Sequence, residues 1–159
     1  MRLQKYMIKG RRMSNSEVKE LNAIGLTGFS KKDVVESAEF EGISILIING
    51  VVEFFKSGDR WVPTLRRIYA GANIEMKSIS VDPGAIKFIS SGADVMRPGI
   101  VSIDDGISKG ALVLIKETGH GKVLAIGEAL YSSDEMKSLD KGKAIKNIHY
   151  VGDKLWNLQ

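Results

Sequence analysis

Two histidines, no cysteine and a few neighbouring carboxylates are all this chain offers for catalysis, and their spacing assembles no mechanism. Asp94, Asp104 and Asp105 come nearest to a carboxylate group. Asp104-Asp105-Gly106 after an apolar run reads as a turn, however, and Asp94 in Gly92-Ala93-Asp94 reads as a local acceptor that holds a loop. His120 lies between two glycines, as at a hairpin tip. His149, beside Tyr150 in a predicted strand, is a packed or surface histidine or a stacking partner for an unpaired base. Gly119-x-Gly121 lacks the third glycine and the strand-to-helix context of a dinucleotide loop, and there is no Walker sequence. Neither the thiolates nor the histidine spacing of a zinc site is present. The expectation is a protein with no catalytic residues, no metal and no cofactor.

RNA recognition asks for less: backbone donors from an irregular loop, a few cations for phosphates, and flat or apolar side chains for unstacked bases. Residues 81–99 supply these together. Asp82 suits an N-cap with Pro83 at the first helical position, Ile86 and Ile89 lie one turn apart, and Gly92 suits a left-handed C-cap, which predicts a helix of about ten residues. The chain then leaves the helix through Ala93, Asp94, Met96, Arg97, Pro98 and Gly99, where small residues allow close backbone approach and Pro98 interrupts sheet pairing. Lys87, Arg97, Lys143 and Lys146 are the candidate phosphate cations. Arg97 is read as solvent-facing, so that its loss would leave the fold intact. Met96 and the Gly92-Ala93 backbone would lie against a base, although Met96 equally suits core packing.

Residues 81–99 resemble the opening of a PUA domain, an RNA-binding module. Residues 141–156, Lys-Gly-Lys-Ala-Ile-Lys-Asn-Ile-His-Tyr-Val-Gly-Asp-Lys-Leu-Trp, resemble its terminal strands in the form found in the malignant T-cell-amplified sequence family and its archaeal relatives. Glu53-Phe54-Phe55-Lys56 and Trp61-Val62-Pro63-Thr64-Leu65-Arg66 are similar to the domain that precedes PUA in that family. The resemblance covers nearly the whole chain. It implies an α+β protein: an N-terminal helix on an antiparallel sheet (pre-PUA, cystatin-like) over residues 1–75, then a PUA β pseudo-barrel over residues 76–159. It also implies a groove between the first PUA helix, the following loop and the last strand. That assigns RNA contact to Lys87, Gly92, Ala93, Asp94, Met96, Arg97, Pro98, Gly99, Lys143, Lys146 and His149. The implied partner is structured RNA, the tRNA acceptor end or else rRNA, at the small ribosomal subunit in translation initiation or recycling. An initiation-factor-like protein, density-regulated protein in eukaryotic relatives, would act alongside. Two other readings stay open: an accessory RNA-targeting protein for tRNA or rRNA modification, and a protein-interaction adaptor.

Composition sets the outer limits. With 43% hydrophobic and 26% charged residues the chain is expected to fold rather than remain disordered. No apolar run approaches the roughly 18 residues of a membrane span, and the N-terminus has no apolar signal core, so the expectation is a cytoplasmic protein without membrane contact. A net charge of +4 is weak for a nucleic-acid binder, so its distribution matters more than its sum. Arg2, Lys5, Lys9, Arg11 and Arg12 form one basic cluster, and Lys137, Lys141, Lys143 and Lys146 form another, each either a solvated face or a phosphate-binding one.

The remaining elements follow from local signals. Ser14 and Glu17 stand in a capping-box relation ahead of Val18, Leu21 and Ile24, predicting a helix over residues 14–24 that stops at Gly25. Strands are predicted over residues 34–40, 43–48 and 51–56, with Asn49-Gly50 as the hairpin turn between the last two. A short helix starting at Pro63 runs to Tyr69, and the boundary between the halves falls between Tyr69 and Ser80. In the second half, strands over residues 100–103, 111–115, 123–130 and 147–151 suggest a small barrel, interrupted by one helical turn from Ser132. Each half alone would bury only about 60% of its unfolded surface, so the two are expected to pack together.

Overall fold

The structure, a computed structural model, describes residues 8–26 and 28–158. Arg2 and Lys5 of the first basic cluster lie outside them. The chain divides into two compact units, one reaching to Ala72 and including Leu158, the other Asn73–Asn157.

The first unit begins with β1 (Arg11–Arg12) and α1 (Asn15–Ala23). Ser14 caps α1: its hydroxyl accepts from Glu17 N, and the Glu17 carboxylate accepts in return from Ser14 N at 2.7 Å. Arg11 donates to that carboxylate as well, and these bonds hold it down at a pKa of about 2. Four strands follow, β2 (Val35–Phe40), β3 (Ile43–Ile48), β4 (Val51–Ser57) and β5 (Arg60–Pro63), forming with β1 an antiparallel sheet in sequence order. Asn49 and Gly50 take positive φ values of 51° and 85°, the backbone that a two-residue hairpin demands of both central positions. Leu21 from α1 and Leu26 after it pack against Val35, Leu46, Ile48 and Phe54 of the sheet. The sequence predicts a helix opening at Pro63. Instead Pro63 ends β5 and Thr64 caps α2 (Leu65–Tyr69): its hydroxyl accepts from Arg67 N and donates to Val52 O at 2.9 Å, which is why a polar residue is tolerated at 1% exposure.

The second unit holds β6 (Ser78–Val81), a 3-10 turn at Pro83–Ala85, α3 (Ile86–Ile89), β7 (Val95–Met96) and a second 3-10 turn at Arg97–Gly99. After these come β8 (Ile100–Ile103), β9 (Leu112–Glu117), β10 (Val123–Ala129), α4 (Ser133–Ser138) and β11 (Lys143–Tyr150). The six strands form a barrel-like sheet in the order β7-β11-β10-β9-β6-β8, antiparallel except where β6 runs parallel to β9. Inside lie Ile79, Val81, Ile89, Val95, Val113, Ile115, Ala125 and Ile145. The α+β class, with a helix on an antiparallel sheet followed by a β pseudo-barrel, is as expected.

Three local expectations change. The helix after Asp82 is shorter than ten residues, because four α-helical residues follow a single 3-10 turn. The last strand begins at Lys143, not Asn147, since Ala144 and Ile145 within the lysine-rich stretch face the core. Gly127, read only as part of a strand, marks a register shift between β10 and β11. A Cβ there would stand 2.4 Å from Ile145 Cγ2 and 2.8 Å from Lys146 O, so glycine alone lets β11 pass this close. Among the described residues no helix is long and apolar enough to cross a membrane.

Candidate nucleic-acid interface

The loop over residues 92–99 is fixed to its surroundings mainly by backbone bonds. Asp82 Oδ1 accepts from Ala85 N at 3.2 Å and starts the short helix. Gly92 ends it with φ +95°, its N–H donating to Ile89 O at 3.0 Å while Ala93 N donates to Phe88 O at 3.0 Å. Glycine is required there on a second count: a Cβ would lie 3.0 Å from Tyr150 Cε1. Asn147 on β11 then ties the loop down from the far side. Its N–H donates to Asp94 Oδ1 at 2.9 Å, and its side-chain nitrogen donates to Ala93 O at 3.0 Å and Ile89 O at 3.2 Å. Lys143 Nζ lies 3.2 Å from Asp94 Oδ2, and Arg97 N donates to Gly142 O at 2.8 Å.

These ties enclose a cavity of about 770 Å³ lined by Asp82, Gly84, Ala85, Phe88, Ile89, Gly92, Ala93, Asp94, Val95, Met96, Pro98, Gly99 and Lys143. The volume is that of a small-ligand site, and the walls are mostly apolar. Phe88 and Met96, 58% and 47% exposed, are large apolar side chains that folding leaves in water. Met96 is therefore not a core residue.

Seven of the residues assigned from sequence meet at this cavity: Gly92, Ala93, Asp94, Met96, Pro98, Gly99 and Lys143. Four do not line it. Lys87 sits outside with its ammonium 5.0 Å from the centre of the Phe88 ring. Lys146 is exposed on β11, opposite Glu128 of β10. Arg97 is only partly exposed and is not the free surface cation the sequence suggested: Nε donates to Met136 O at 2.6 Å and Nη1 to Ile100 O at 3.2 Å. His149 is fully buried, its Nδ1 2.7 Å from Asp153 Oδ2, so the expected RNA contact by His149 is corrected to an interior role. Burial works against the Asp153 carboxylate. The bonds from His149, Trp156 N and Tyr150 N outweigh it and hold that carboxyl below its ordinary range.

Sequence reasoning missed Phe88 and Asn147, and read Asp82 only as a cap. Phe88 had a signal: it follows Ile86 by two positions, so it stands off the face that Ile86 and Ile89 turn inward, an aromatic residue with no core to enter.

Of the N-terminal basic cluster, Arg11 pairs with Glu17 at 2.8 Å, while Lys9 and Arg12 are exposed. If the cluster touches RNA, replacing Lys9 and Arg12 with glutamine is expected to flatten the slope of log affinity against log salt by up to about 0.9 per lost contact. Arg11→Gln is expected to change it less. A slope unmoved by the double substitution would place that segment away from RNA.

A family model described as PUA domain matches residues 77–151. An uncharacterized protein of Methanocaldococcus jannaschii is 43% identical over 129 residues, covering 81% of this chain and 79% of the relative. Translation machinery-associated protein 20 of Saccharomyces cerevisiae is 37% identical over 134 residues, covering 80% and 74%. Malignant T-cell-amplified sequence 1-A of Xenopus laevis is also 37% identical over 134 residues, covering 81% and 74%. The chain belongs to the malignant T-cell-amplified sequence family. The crystal structure of a hypothetical protein from Pyrococcus horikoshii agrees, with a TM-score of 0.78 at 36% identity over 94% of this chain and 99% of that one. The PUA domain implies RNA binding, and two of these relatives carry names that tie them to the translation machinery or to the family itself. The cavity lies wholly within the matched residues.

Proposed function

We propose that this protein is a non-enzymatic, cytoplasmic RNA-binding factor that takes the unpaired 3′ end of a tRNA acceptor arm into the cavity beside α3. The observation that carries the reading is a largely apolar cavity, roomy enough for a nucleoside, whose lining includes an exposed Phe88 and an exposed Met96 with lysines nearby. An unpaired base gains about 1 to 3 kcal/mol by lying against such a side chain, and the preceding phosphates find Lys87 and Lys146 outside. The family relationship supports a place at the small ribosomal subunit during initiation or recycling, beside an initiation-factor-like protein.

Fluorescence titration with intact tRNA and tRNA lacking its terminal CCA tests this. Trimming is expected to weaken binding about tenfold, the equivalent of one good stacking contact. Equal affinity for both would move the RNA site elsewhere on the protein.

A further inference from the structure

The charges lining the cavity are of an unusual kind for a nucleic-acid site. Three charged residues line it, Asp82, Asp94 and Lys143, and two of them cancel through the 3.2 Å ion pair between Lys143 and Asp94. Asp82 is left. Its Oδ1 is used by Ala85 N, and among the described residues no hydrogen bond or ion pair engages its Oδ2. The first turn of a short helix is where an anion would look for a backbone donor, and the Asp82 carboxylate already occupies that position itself. Cations stand outside: Lys87 is held over Phe88 and does not line the cavity. The lining therefore carries one uncompensated negative charge, and lysines stand outside it.

From this distribution we infer that the cavity accepts the terminal nucleoside only as an end with free ribose hydroxyls, and turns away an RNA end carrying a 3′-phosphate or a 2′,3′-cyclic phosphate. The inference rests on the proposed seating of the 3′ end in this cavity and adds what state of that end it reads. Ribose hydroxyls are donors and meet Asp82 Oδ2 as a charge-assisted acceptor. A terminal phosphate has no donor to offer and would lose water only to face an uncompensated carboxylate. Like charges set against one another at a binding surface cost enough to lower affinity at least about tenfold. The protein would in this way separate intact, mature 3′ ends from the phosphate-bearing ends that ribonucleolytic cleavage leaves.

The test uses three short RNAs of one sequence: ending in CCA with a 3′-hydroxyl, ending in CCA with a 3′-phosphate, and lacking CCA with a 3′-hydroxyl. The protein is expected to bind the first at least about tenfold more tightly than the second. Asp82→Asn removes the charge, and asparagine caps a helix as well as aspartate does, so the variant is expected to melt like the parent and to shrink that preference to under about threefold. Equal binding of the two CCA ends by the parent protein, or a preference that Asp82→Asn leaves intact, would overturn the inference. If instead the RNA lacking CCA binds as tightly as the CCA end with a free hydroxyl, the seating itself is wrong. The two failures are thus read from different pairs.

Discussion

A glutamate at Ala93 is expected to weaken binding of CCA-ended tRNA about tenfold, down to the level of trimmed tRNA, while leaving binding of trimmed tRNA nearly unchanged. Ala93 is exposed and lines the cavity, so a longer side chain there enters the space a base would fill and brings a second uncompensated negative charge with it. The polypeptide has little reason to object. Ala93 contributes to the fold through its N–H, bound to Phe88 O, and its C=O, bound to the Asn147 side chain, and both survive the substitution. Its φ is not among the positive values, so no backbone strain arises. Thermal melting of the variant is therefore expected to match the parent within the roughly 0.5 kcal/mol typical of surface changes. Titration of intact and trimmed tRNA against parent and variant gives the four affinities needed. Equal losses for both RNAs would show a general charge effect, and no loss for either would remove the cavity from RNA binding.

What the sequence reveals of this fold and site depends on how local the cause is. The capping box of Ser14 and Glu17, the hairpin turn at Asn49-Gly50 and the helical turn from Ser132 are each settled within a few residues, and each is found as read. β6 and β7 escape the same reading because they have four and two residues and are made into strands by partners far along the chain. β7, for example, pairs with β11 through Val95 and Ile145. The site divides the same way. The consecutive residues from Gly92 to Gly99 could be recognised as one loop because glycine and proline announce it. Which way a side chain turns could not be read so simply. His149 is buried on β11 opposite Ile126, a matter of register where the pairing with β10 shifts between Ile126 and Gly127. Asn147 is tied to carbonyls 54 and 58 residues earlier, a role that no spacing rule encodes.

Arg97 is the sharpest instance. Read from sequence as a solvent-facing phosphate contact, it is bound in the structure to Met136 O, 39 residues away, and to Ile100 O. A charged donor in a hydrogen bond contributes about 1.5 to 3 kcal/mol, and both carbonyls lose their partner when the side chain is removed. Arg97→Ala is accordingly expected to destabilise the second unit by about 3 kcal/mol, less than the sum of the two bonds because the side chain is partly exposed and water replaces some of the loss. For a unit of this size that is a fall in melting temperature of about 10 °C or more. Arg97→Lys keeps the charge but has one nitrogen where two are needed, so it is expected to fall between alanine and the parent. At a temperature where the alanine variant is still folded, its affinity for tRNA is expected to stay within about threefold of the parent, because the loop is also held by Asp94, Asn147 and the Arg97 backbone N–H. Melting by circular dichroism and titration at low temperature separate the two effects. A variant that melts with the parent yet binds tenfold more weakly would return Arg97 to the phosphate backbone and leave its inward hydrogen bonds without consequence for stability.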